Sequence, residues 1–546
     1  MNRTWWKEAV VYQVYWRSFY DTNGDGYGDL NGLIQKLDYI KNLGVDVIWL
    51  NPPYESPDRD NGYDISDYCS IMEKAGTMDI WETLLHEVHA RGMKLIMDLV
   101  VNHTSDQHPW FIESSSSKNN PKRDWYIWRD GKDGAPPNNW RSYFTPSTWE
   151  YDERTGQYYF HSFATEQPDL NWQNPEVREA IFSMMHFWLD KGIDGFRMDV
   201  INLLAKIEGF PDSDEPDKIN YLGNNPGIHD YLQEMNEKVL RHYDIFTVGE
   251  IPFVTPEDGL LYVGEGRNEL HTLFHFQVAD DMPSWDMLRY KEIQKTWYEG
   301  LYGKGTNSQF LNNHDHTRQV TRYGNDREYR VQSAKLLATM VHTLPGIPYV
   351  YQGEEIGMTG VYYDSIDDYR DIAMKNKYHE LVEKGGNPDE VLASLRALSR
   401  DNSRTPMQWN DQPNGGFSTG KPWIAVNPNY KGINVEQALA DPDSVYYYYQ
   451  KLIRLRKENP VMVYGTYDDL TEGDELLYVY TRELDGVRWL VMLNHADHES
   501  RFTLPAGVEV DEAGKRLLIA NYTDVEGAEP IQSVTLRPHE ARIYQL

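Results

Sequence analysis

Apolar runs and helical patterns alternate along most of the chain. The runs are rich in β-branched and aromatic residues, and helical periodicity fills the spaces between them, as at Leu33, Leu37 and Ile40. Strands that alternate with amphipathic helices are typical of βαβ units in a parallel sheet. Eight such runs predict an α/β fold, a (β/α)8 TIM barrel. The predicted strands are Val10–Tyr15, Val45–Leu50, Lys94–Val100, Ile193–Asp199, Ile245–Glu250, Thr272–Phe276, Ser308–Asn313 and Ile347–Tyr351.

Two long interruptions and a late change of pattern predict the domains. The third and fourth strands are separated by a polar and aromatic segment far longer than one helix needs, which predicts an inserted domain over 104–173. A mostly helical insertion over about 364–430 follows the eighth strand. From residue 462 short strands alternate with turn residues, as in LLYVYTREL. We expect a catalytic barrel formed by 1–103 and 174–461, the inserted domain, and a C-terminal all-β sandwich domain over 462–546.

Charge and cysteine content exclude several classes of protein. The 546 residues include 53 Lys and Arg against 85 Asp and Glu, a net charge of −32, which argues against a nucleic-acid partner. The single cysteine, Cys69, excludes an intrachain disulfide. No stretch approaches the roughly 18 apolar residues of a membrane span, and the N-terminus lacks a signal-peptide pattern. We expect a monomeric cytoplasmic protein with no membrane partner.

Ionisable residues follow four predicted strands at the end where TIM barrels carry their chemistry. An aspartate after a strand is usually a helix cap or a turn residue. Four strands that deliver such groups to the same rim favour a common site. The residues are Asp98 and His103 in DLVVNH, Arg197 and Asp199 in GFRMDV, Glu250 in TVGE, and His314 and Asp315 in NNHD.

Three of these acids, Asp199, Glu250 and Asp315, suit glycoside hydrolysis. That reaction uses one ionised carboxylate and one carboxylic acid, roughly 5 Å apart when the configuration is retained. Arg197 lies two residues before Asp199, on the same face of the strand, and we expect it to keep Asp199 ionised. Glu250 lies beside other carboxylates, so we expect a raised pKa and a protonated acid.

The four motifs, in this order, resemble the signature regions of the alpha-amylase family (glycoside hydrolase family 13). QPDLN, DNGYDISDY and RTPMQW are similar to its oligo-1,6-glucosidase and alpha-glucosidase branch. The resemblance implies that Asp199 is the nucleophile, that Glu250 is the acid/base and that Asp315 holds the ring hydroxyls. It also implies positions that grip the non-reducing glucose. These are Asp60, Tyr63, His103, Arg197, His314 and Arg404, with Phe163 and Gln167 on the inserted domain.

The segment DTNGDGYGD carries oxygen ligands at alternate positions and a glycine at the sixth, as in a calcium loop. It lacks the glutamate at the twelfth position of an EF-hand, and a tight polar turn is the alternative interpretation. The resemblance implies a structural Ca²⁺ or Mg²⁺ ion and no organic cofactor. The implied ligands are Asp21, Asn23, Asp25, the Tyr27 carbonyl and Asp29.

Val200, directly after the predicted nucleophile, resembles the residue of members that act on α-1,6 bonds, whereas α-1,4-specific members usually carry Ala or Thr. The resemblance therefore implies an exo-acting enzyme that hydrolyses isomaltose and short isomalto-oligosaccharides. Trp16 and His316 depart from the commoner residues at their positions, and we expect both near the rim of the pocket.

Other activities stay open. Trehalose-6-phosphate hydrolases also carry the valine, but they need a basic phosphate site that the sequence does not reveal. An α-1,4-glucosidase is a second alternative. Sucrose isomerases share the three acids but have an Arg-Leu-Asp-Arg-Asp motif that is absent after the sixth predicted strand. Non-catalytic transporter partners in this family lack the catalytic acids and carry a membrane helix.

Overall fold

The predicted apolar runs form the strands of one parallel sheet. The computed structural model describes residues 3–508 and 510–546. Neighbouring strands pair in parallel, and the first strand pairs with the last, Val11 opposite Tyr349. A bridge between Leu273 and Asn307 joins the two outer strands of this sheet, so the barrel is nearly closed and the predicted fold class is confirmed. The strands are β1 Val11–Val14, β2 Val47–Leu50, β3 Lys94–Leu99, β4 Gly195–Met198, β5 Phe246–Glu250, β6 Thr272–Phe274, β7 Ser308–Gln309 and β8 Ile347–Tyr351.

The strands are apolar on both faces because the barrel interior and the outer helices both exclude water. Val47, Phe246 and Tyr349 belong to a cluster of side chains inside the barrel. Ile48 and Leu95, on the opposite faces of their strands, pack with the helices. The polar residues at the strand ends are therefore displayed at the rim of a rigid support.

Helices follow the strands around the barrel. Caps fix their starts: Asp29 accepts from the Gly32 amide, and Asn174 accepts from the Glu176 amide ahead of a proline in the first turn. None of the described helices is long and apolar enough to cross a membrane. The longer helices are Leu30–Leu43, Met78–Ala90, Pro175–Asp190, Ile228–Lys238, Pro256–Val263, Met287–Leu301, Arg330–Thr343 and Val445–Glu458; the short ones are Trp5–Glu8, Gln277–Asp281, Gln319–Tyr323, Val435–Ala440 and Val461–Tyr464.

The segment between β3 and β4 forms a small antiparallel sheet beside the barrel rim. Its strands are Trp128–Arg129, Gln157–Phe160 and Trp149–Asp152, in that spatial order, and helix Pro109–Ser116 precedes them. Phe160 clusters with Val200 from the loop after β4. This packing holds the segment over one side of the strand ends.

The segment after β8 is helical and reaches the same rim. Its helices are Ile372–Glu383, Pro388–Leu395 and Asp401–Arg404. Asp371 caps the first of them and also binds the Arg400 side chain at 2.8 Å from Nε. The ion pair places Arg400, and Arg404 one turn later, at the strand ends.

The C-terminal residues form two antiparallel sheets that pack face to face, the predicted all-β sandwich. Val479 and Met492 of the larger sheet contact Phe502 and Leu536 of the smaller one. The larger sheet has the order Thr466–Asp469, Leu477–Leu484, Val487–Asn494, Ala541–Gln545 and Arg516–Ala520, and the smaller pairs Ser500–Thr503 with Ser533–Leu536.

Candidate active site

A pocket of about 1030 Å³ opens at the carboxyl ends of the barrel strands. Most of the residues predicted for the site line it directly, and the others lie immediately behind the wall, bonded to lining residues. The predicted residues in the lining are Asp60, Tyr63, His103, Phe163, Asp199, Val200, Glu250 and Asp315; those behind it are Gln167, Arg197, His314 and Arg404.

Arg197, on β4, holds three carboxyl groups at the floor of the pocket. Its Nη1 lies 2.5 Å from Asp98 Oδ1 and 2.6 Å from Asp199 Oδ1, and its Nη2 lies 2.6 Å from Glu250 Oε2. All four side chains are buried. Because Asp199 and Glu250 bind the two terminal nitrogens of one guanidinium, the two carboxyl groups lie close together, as a retaining glycosidase requires.

The two carboxyl groups have different proton affinities. Burial raises the pKa of Asp199 to about 6, although the Arg197 charge opposes the rise. Burial, opposed by Arg197, together with the negative charges of Asp199 and Asp315 raises the pKa of Glu250 to about 8. At neutral pH Asp199 is therefore ionised and Glu250 carries a proton, which is the order expected from the sequence.

The backbone of Val200, which directly follows Asp199, connects the carboxyl groups of Asp199 and Glu250. Its amide donates to Glu250 Oε2 at 3.1 Å, and its φ of 35° lies in the left-handed region. That conformation is costly for a β-branched residue. The strain turns the amide toward the carboxyl group and leaves the valine side chain in the pocket wall.

Asp315 is fixed by two arginines of the segment after β8 and by its neighbour His314. Arg404 Nη2 lies 2.6 Å and Arg400 Nη1 3.6 Å from Asp315 Oδ1, and His314 Nε2 lies 3.1 Å from Oδ2. Burial alone would raise the pKa of Asp315, but these neighbours hold it well below its usual range. Asp315 is therefore a permanent carboxylate.

Buried polar groups close the end of the pocket farthest from solvent. We call this part, formed by Asp60, Tyr63, His103, Gln167, His314, Arg400 and Arg404, the deep end. Asp60 accepts from Gln167 Nε2 at 3.1 Å and from Arg400 Nη1 at 3.3 Å. His103 Nε2 lies 3.0 Å from the Tyr63 carbonyl. Each group is thus oriented by another before any ligand binds.

Arg404 joins the deep end to the N-terminal part of the chain. Its Nε donates to the His314 carbonyl at 2.8 Å, and its own carbonyl accepts from Ser18 Oγ at 2.5 Å. Its Nη1 is buried and has no hydrogen-bond partner among the described residues.

Five exposed residues and the half-buried Tyr143 form the opposite end, which we call the mouth; the exposed ones are Asp217, Lys218, Phe253, Asp280 and Asp281. The sequence reasoning assigned no role to them, nor to Arg400. Arg400 had a signal, since it lies one helical turn before Arg404. The mouth residues had none, because their loops carry no periodic pattern.

Of the two unusual residues expected at the rim, one is there. His316 lines the pocket and stacks on Phe276 at 5.5 Å. Trp16 is 1% exposed and donates its indole N–H to the Pro52 carbonyl. The expectation for Trp16 was wrong, because β1 ends before it and a turn directs the ring into the core.

The loop predicted to bind a metal lies behind the deep end. Asp21 accepts from the Gly24 and Gly26 amides and from Ser418 Oγ, while Asp29 caps the following helix. Within residues 3–508 and 510–546, no three His, Cys, Asp or Glu side chains lie close enough together to hold a metal ion. Among the same residues, no lysine or arginine pairs with the three carboxylates of the loop. Oxygen donors of this kind suit a hard divalent cation, but in this structure the carboxylates of Asp21 and Asp29 accept hydrogen bonds from the amides and hydroxyls around them instead.

The comparisons with known proteins agree with this geometry. Residues 13–465 match the family model described as alpha amylase, catalytic domain. The chain is 55% identical to the oligo-1,6-glucosidase of Parageobacillus thermoglucosidasius, covering 100% of both chains. It is 48% identical to the trehalose-6-phosphate hydrolase of Bacillus subtilis, covering 99% of this chain and 98% of that one.

A solved structure extends the likeness to the whole fold. An isomaltulose synthase from Erwinia rhapontici superimposes with a TM-score of 0.97 at 44% identity, covering 100% of this chain and 99% of that one. The resemblance drawn from the four motifs is thereby confirmed, and the chain belongs to the alpha-amylase family.

Proposed function

We propose that this protein is a retaining, exo-acting α-glucosidase that hydrolyses the α-1,6 bonds of isomaltose and short isomalto-oligosaccharides from the non-reducing end. The observation that carries the proposal is the Asp199–Glu250 pair, which Arg197 holds close together with one group ionised and the other protonated. This is the arrangement that double displacement at an anomeric carbon requires.

In the first step, Asp199 attacks the anomeric carbon while Glu250 donates its proton to the glycosidic oxygen. The carbon–oxygen bond breaks, the leaving sugar departs and a glucosyl ester forms on Asp199. In the second step, the Glu250 carboxylate takes a proton from water, whose oxygen attacks the same carbon and releases Asp199. Glucose leaves with its original configuration, and Glu250 is protonated again.

The closed deep end supports exo action on one terminal glucose. Asp315 and Asp60 present fixed carboxylates to its hydroxyls, and the buried Arg404 behind Asp315 and Gln167 behind Asp60 close this end to a longer chain. The pocket side chains assigned to substrate binding are Asp60, Tyr63, His103, Phe163, Gln167, Arg197, Val200, His314 and Arg404.

Two features favour the α-1,6 linkage and an uncharged leaving group. Val200 lines the pocket directly after Asp199, and several full-length relatives carry the name oligo-1,6-glucosidase. Asp217, Asp280 and Asp281 stand at the mouth, where Lys218 already pairs with Glu215. Asp217 and Asp281 pair with Arg141 and Arg289, so the mouth offers a phosphate group few free cations and trehalose-6-phosphate hydrolysis is a weaker candidate. The Val200 side chain makes α-1,4 hydrolysis the other weaker candidate.

The loop over Asp21, Asn23, Asp25, Tyr27 and Asp29 is proposed to bind a structural Ca²⁺ ion. A bound cation would draw the carboxylate, amide and carbonyl oxygens of the loop together and neutralise its negative charge. The ion would act on stability and take no part in the chemistry. A monomeric state and a cytoplasmic location stay predictions from the sequence.

Glucose release from five disaccharides tests the function. Isomaltose, maltose, sucrose, trehalose and trehalose 6-phosphate are incubated with the protein, and we expect the highest kcat/KM for isomaltose. A higher value for trehalose 6-phosphate or maltose would select that alternative, and isomaltulose formed from sucrose would indicate an isomerase. NMR of the first product should show α-glucose; β-glucose would contradict retention.

A further inference from the structure

Phe253 is an exposed aromatic residue at the mouth of the pocket. It lies in the loop after β5, three residues beyond Glu250, and 37% of it is exposed. Burial of a phenylalanine stabilises a fold, whereas an exposed ring beside a catalytic acid contributes little to the core. Its position on the solvent side of Glu250 is where the leaving group of a glycosidase departs.

The backbone at Phe253 is strained. Its φ is 61°, in the left-handed region that bulky residues rarely occupy. Asn224 Nδ2 donates to the Phe253 carbonyl at 3.2 Å, and Asn202 Nδ2 donates to the Pro252 carbonyl at 2.8 Å. The surrounding amides therefore hold the chain in a costly conformation, which points to a use for the ring it displays.

The ring belongs to a stack that follows the pocket wall. Phe253 lies 6.3 Å from Tyr143 with 22° between the planes, and Tyr143 lies 4.8 Å from Phe163 with 10° between the planes. Phe163 in turn contacts His103 in the deep end. The Tyr143 hydroxyl is buried and has no hydrogen-bond partner in the described part of the chain.

We propose that Phe253, supported by Tyr143, is the platform for the leaving-group sugar and a determinant of specificity toward sugar leaving groups. The carbon–hydrogen face of a sugar packs on the free face of the Phe253 ring, and the Tyr143 hydroxyl donates to one of the sugar hydroxyls. This role rests on the proposed glucosidase function. It adds a second contact region to the glucose site of the deep end.

Two substitutions distinguish the effect of the Phe253 ring on catalysis from the effect of the strained backbone on stability. Phe253→Gly and Phe253→Ala both remove the ring, but only glycine adopts the left-handed conformation without cost. We expect kcat/KM for isomaltose and isomaltotriose to fall about 5- to 10-fold in both variants. The value for α-glucosyl fluoride, whose leaving group is not a sugar, should change less than about twofold. Phe253→Gly should melt about 1 °C above Phe253→Ala.

Leu261→Ala is the matched control, since Leu261 is 40% exposed and lies outside the pocket. In this variant kcat/KM for isomaltose and for α-glucosyl fluoride should equal the wild-type values. An equal loss on glucosyl fluoride and isomaltose in the Phe253 variants, or no loss on isomaltose, would overturn the platform. Failure of the wild-type protein on isomaltose alone would overturn the α-1,6 assignment instead; the platform is then tested with the disaccharide that is cleaved.

Discussion

The deep end and the mouth of one pocket are built in opposite ways. In the deep end the side chains of Arg404 and Asp60 are 1% and 7% exposed, and each is held in an ion pair, Arg404 with Asp315 and Asp60 with Arg400. At the mouth the side chains of Asp217 and Lys218 are 89% and 66% exposed. A site fixed at one end and open at the other recognises one sugar strictly and tolerates variation in the next.

The physical basis of the difference is solvation. Removal of one partner from a buried ion pair leaves an uncompensated charge, which costs about 3–5 kcal/mol. Exposed pairs contribute about 0–1 kcal/mol, because water and salt screen them. Substitutions in the deep end should therefore be far more damaging than equivalent ones at the mouth.

Loss of either reacting carboxyl group should have the largest effect. Asp199→Asn and Glu250→Gln keep shape and volume but remove the nucleophile or the acid, and we expect kcat to fall by about 10⁴-fold or more. Steady-state hydrolysis of isomaltose measures the loss, with circular dichroism as a check of folding. Asp38→Asn, on an exposed carboxylate, is the matched control. Activity near the wild-type level in Asp199→Asn would contradict its assignment as the nucleophile.

Arg404→Lys tests whether the deep end depends on geometry as well as charge. Lysine keeps the charge, but its single nitrogen cannot reproduce the two bonds that the guanidinium makes to the His314 carbonyl and to Asp315. We expect kcat/KM to fall about 10²-fold on every substrate, including α-glucosyl fluoride. If activity fell only on substrates with a sugar leaving group, Arg404 would act at the mouth, which would contradict its assignment to the deep end.

Val200→Ala probes the boundary between the two ends. A smaller side chain beside the scissile bond should admit α-1,4-linked sugars, so the ratio of kcat/KM for isomaltose to that for maltose should drop about 10-fold. Initial rates with both disaccharides measure it. An unchanged ratio would show that Val200 does not determine the linkage.

The pH dependence of activity should be determined by Asp199 and Glu250 at the floor of the pocket and not by the carboxylates at the mouth. Activity needs ionised Asp199 and protonated Glu250, so kcat/KM should rise through a pKa of about 6 and fall through one of about 8. In Asp315→Asn the falling limb should move to lower pH, because one negative charge that raises the pKa of Glu250 is gone. The Asp217→Asn profile serves as the comparison and should match the wild type.

Chelation should have the smallest effect on catalysis. A cation bound to the loop at Asp21 would stabilise the folded chain, so its removal by EDTA should lower the melting temperature by a few degrees. Added Ca²⁺ should restore it, and the isomaltose to maltose ratio should not change. An unaltered melting temperature would argue against the metal site.

The barrel was predictable because its strands are apolar on both faces and end in polar groups. β7 shows the limit: the predicted run extends to Asn313, whereas the strand is only Ser308–Gln309. The following residues leave the sheet and direct Asp315 into the pocket, with His314 behind its wall. Apolarity does not distinguish such a turn from a strand.

The charged network was only partly predictable. Arg197 and Asp199 meet because they lie two residues apart on one strand, so local periodicity is sufficient. Asp60 and Arg400 are 340 residues apart and meet only in the folded protein. Phe253 was missed because its position follows from a strained turn, which no residue pattern announces.

The contact between Ser18 and Arg404 has a consequence for synthesis. β1 pairs with β8, and Asp21 in the loop after β1 contacts Ser418. The first segments to leave the ribosome therefore obtain some of their neighbours only when later segments have been made. Until then the side of β1 that faces β8 has no neighbouring strand, and such an edge is prone to aggregation. Translation must therefore reach about residue 420 before a working pocket exists.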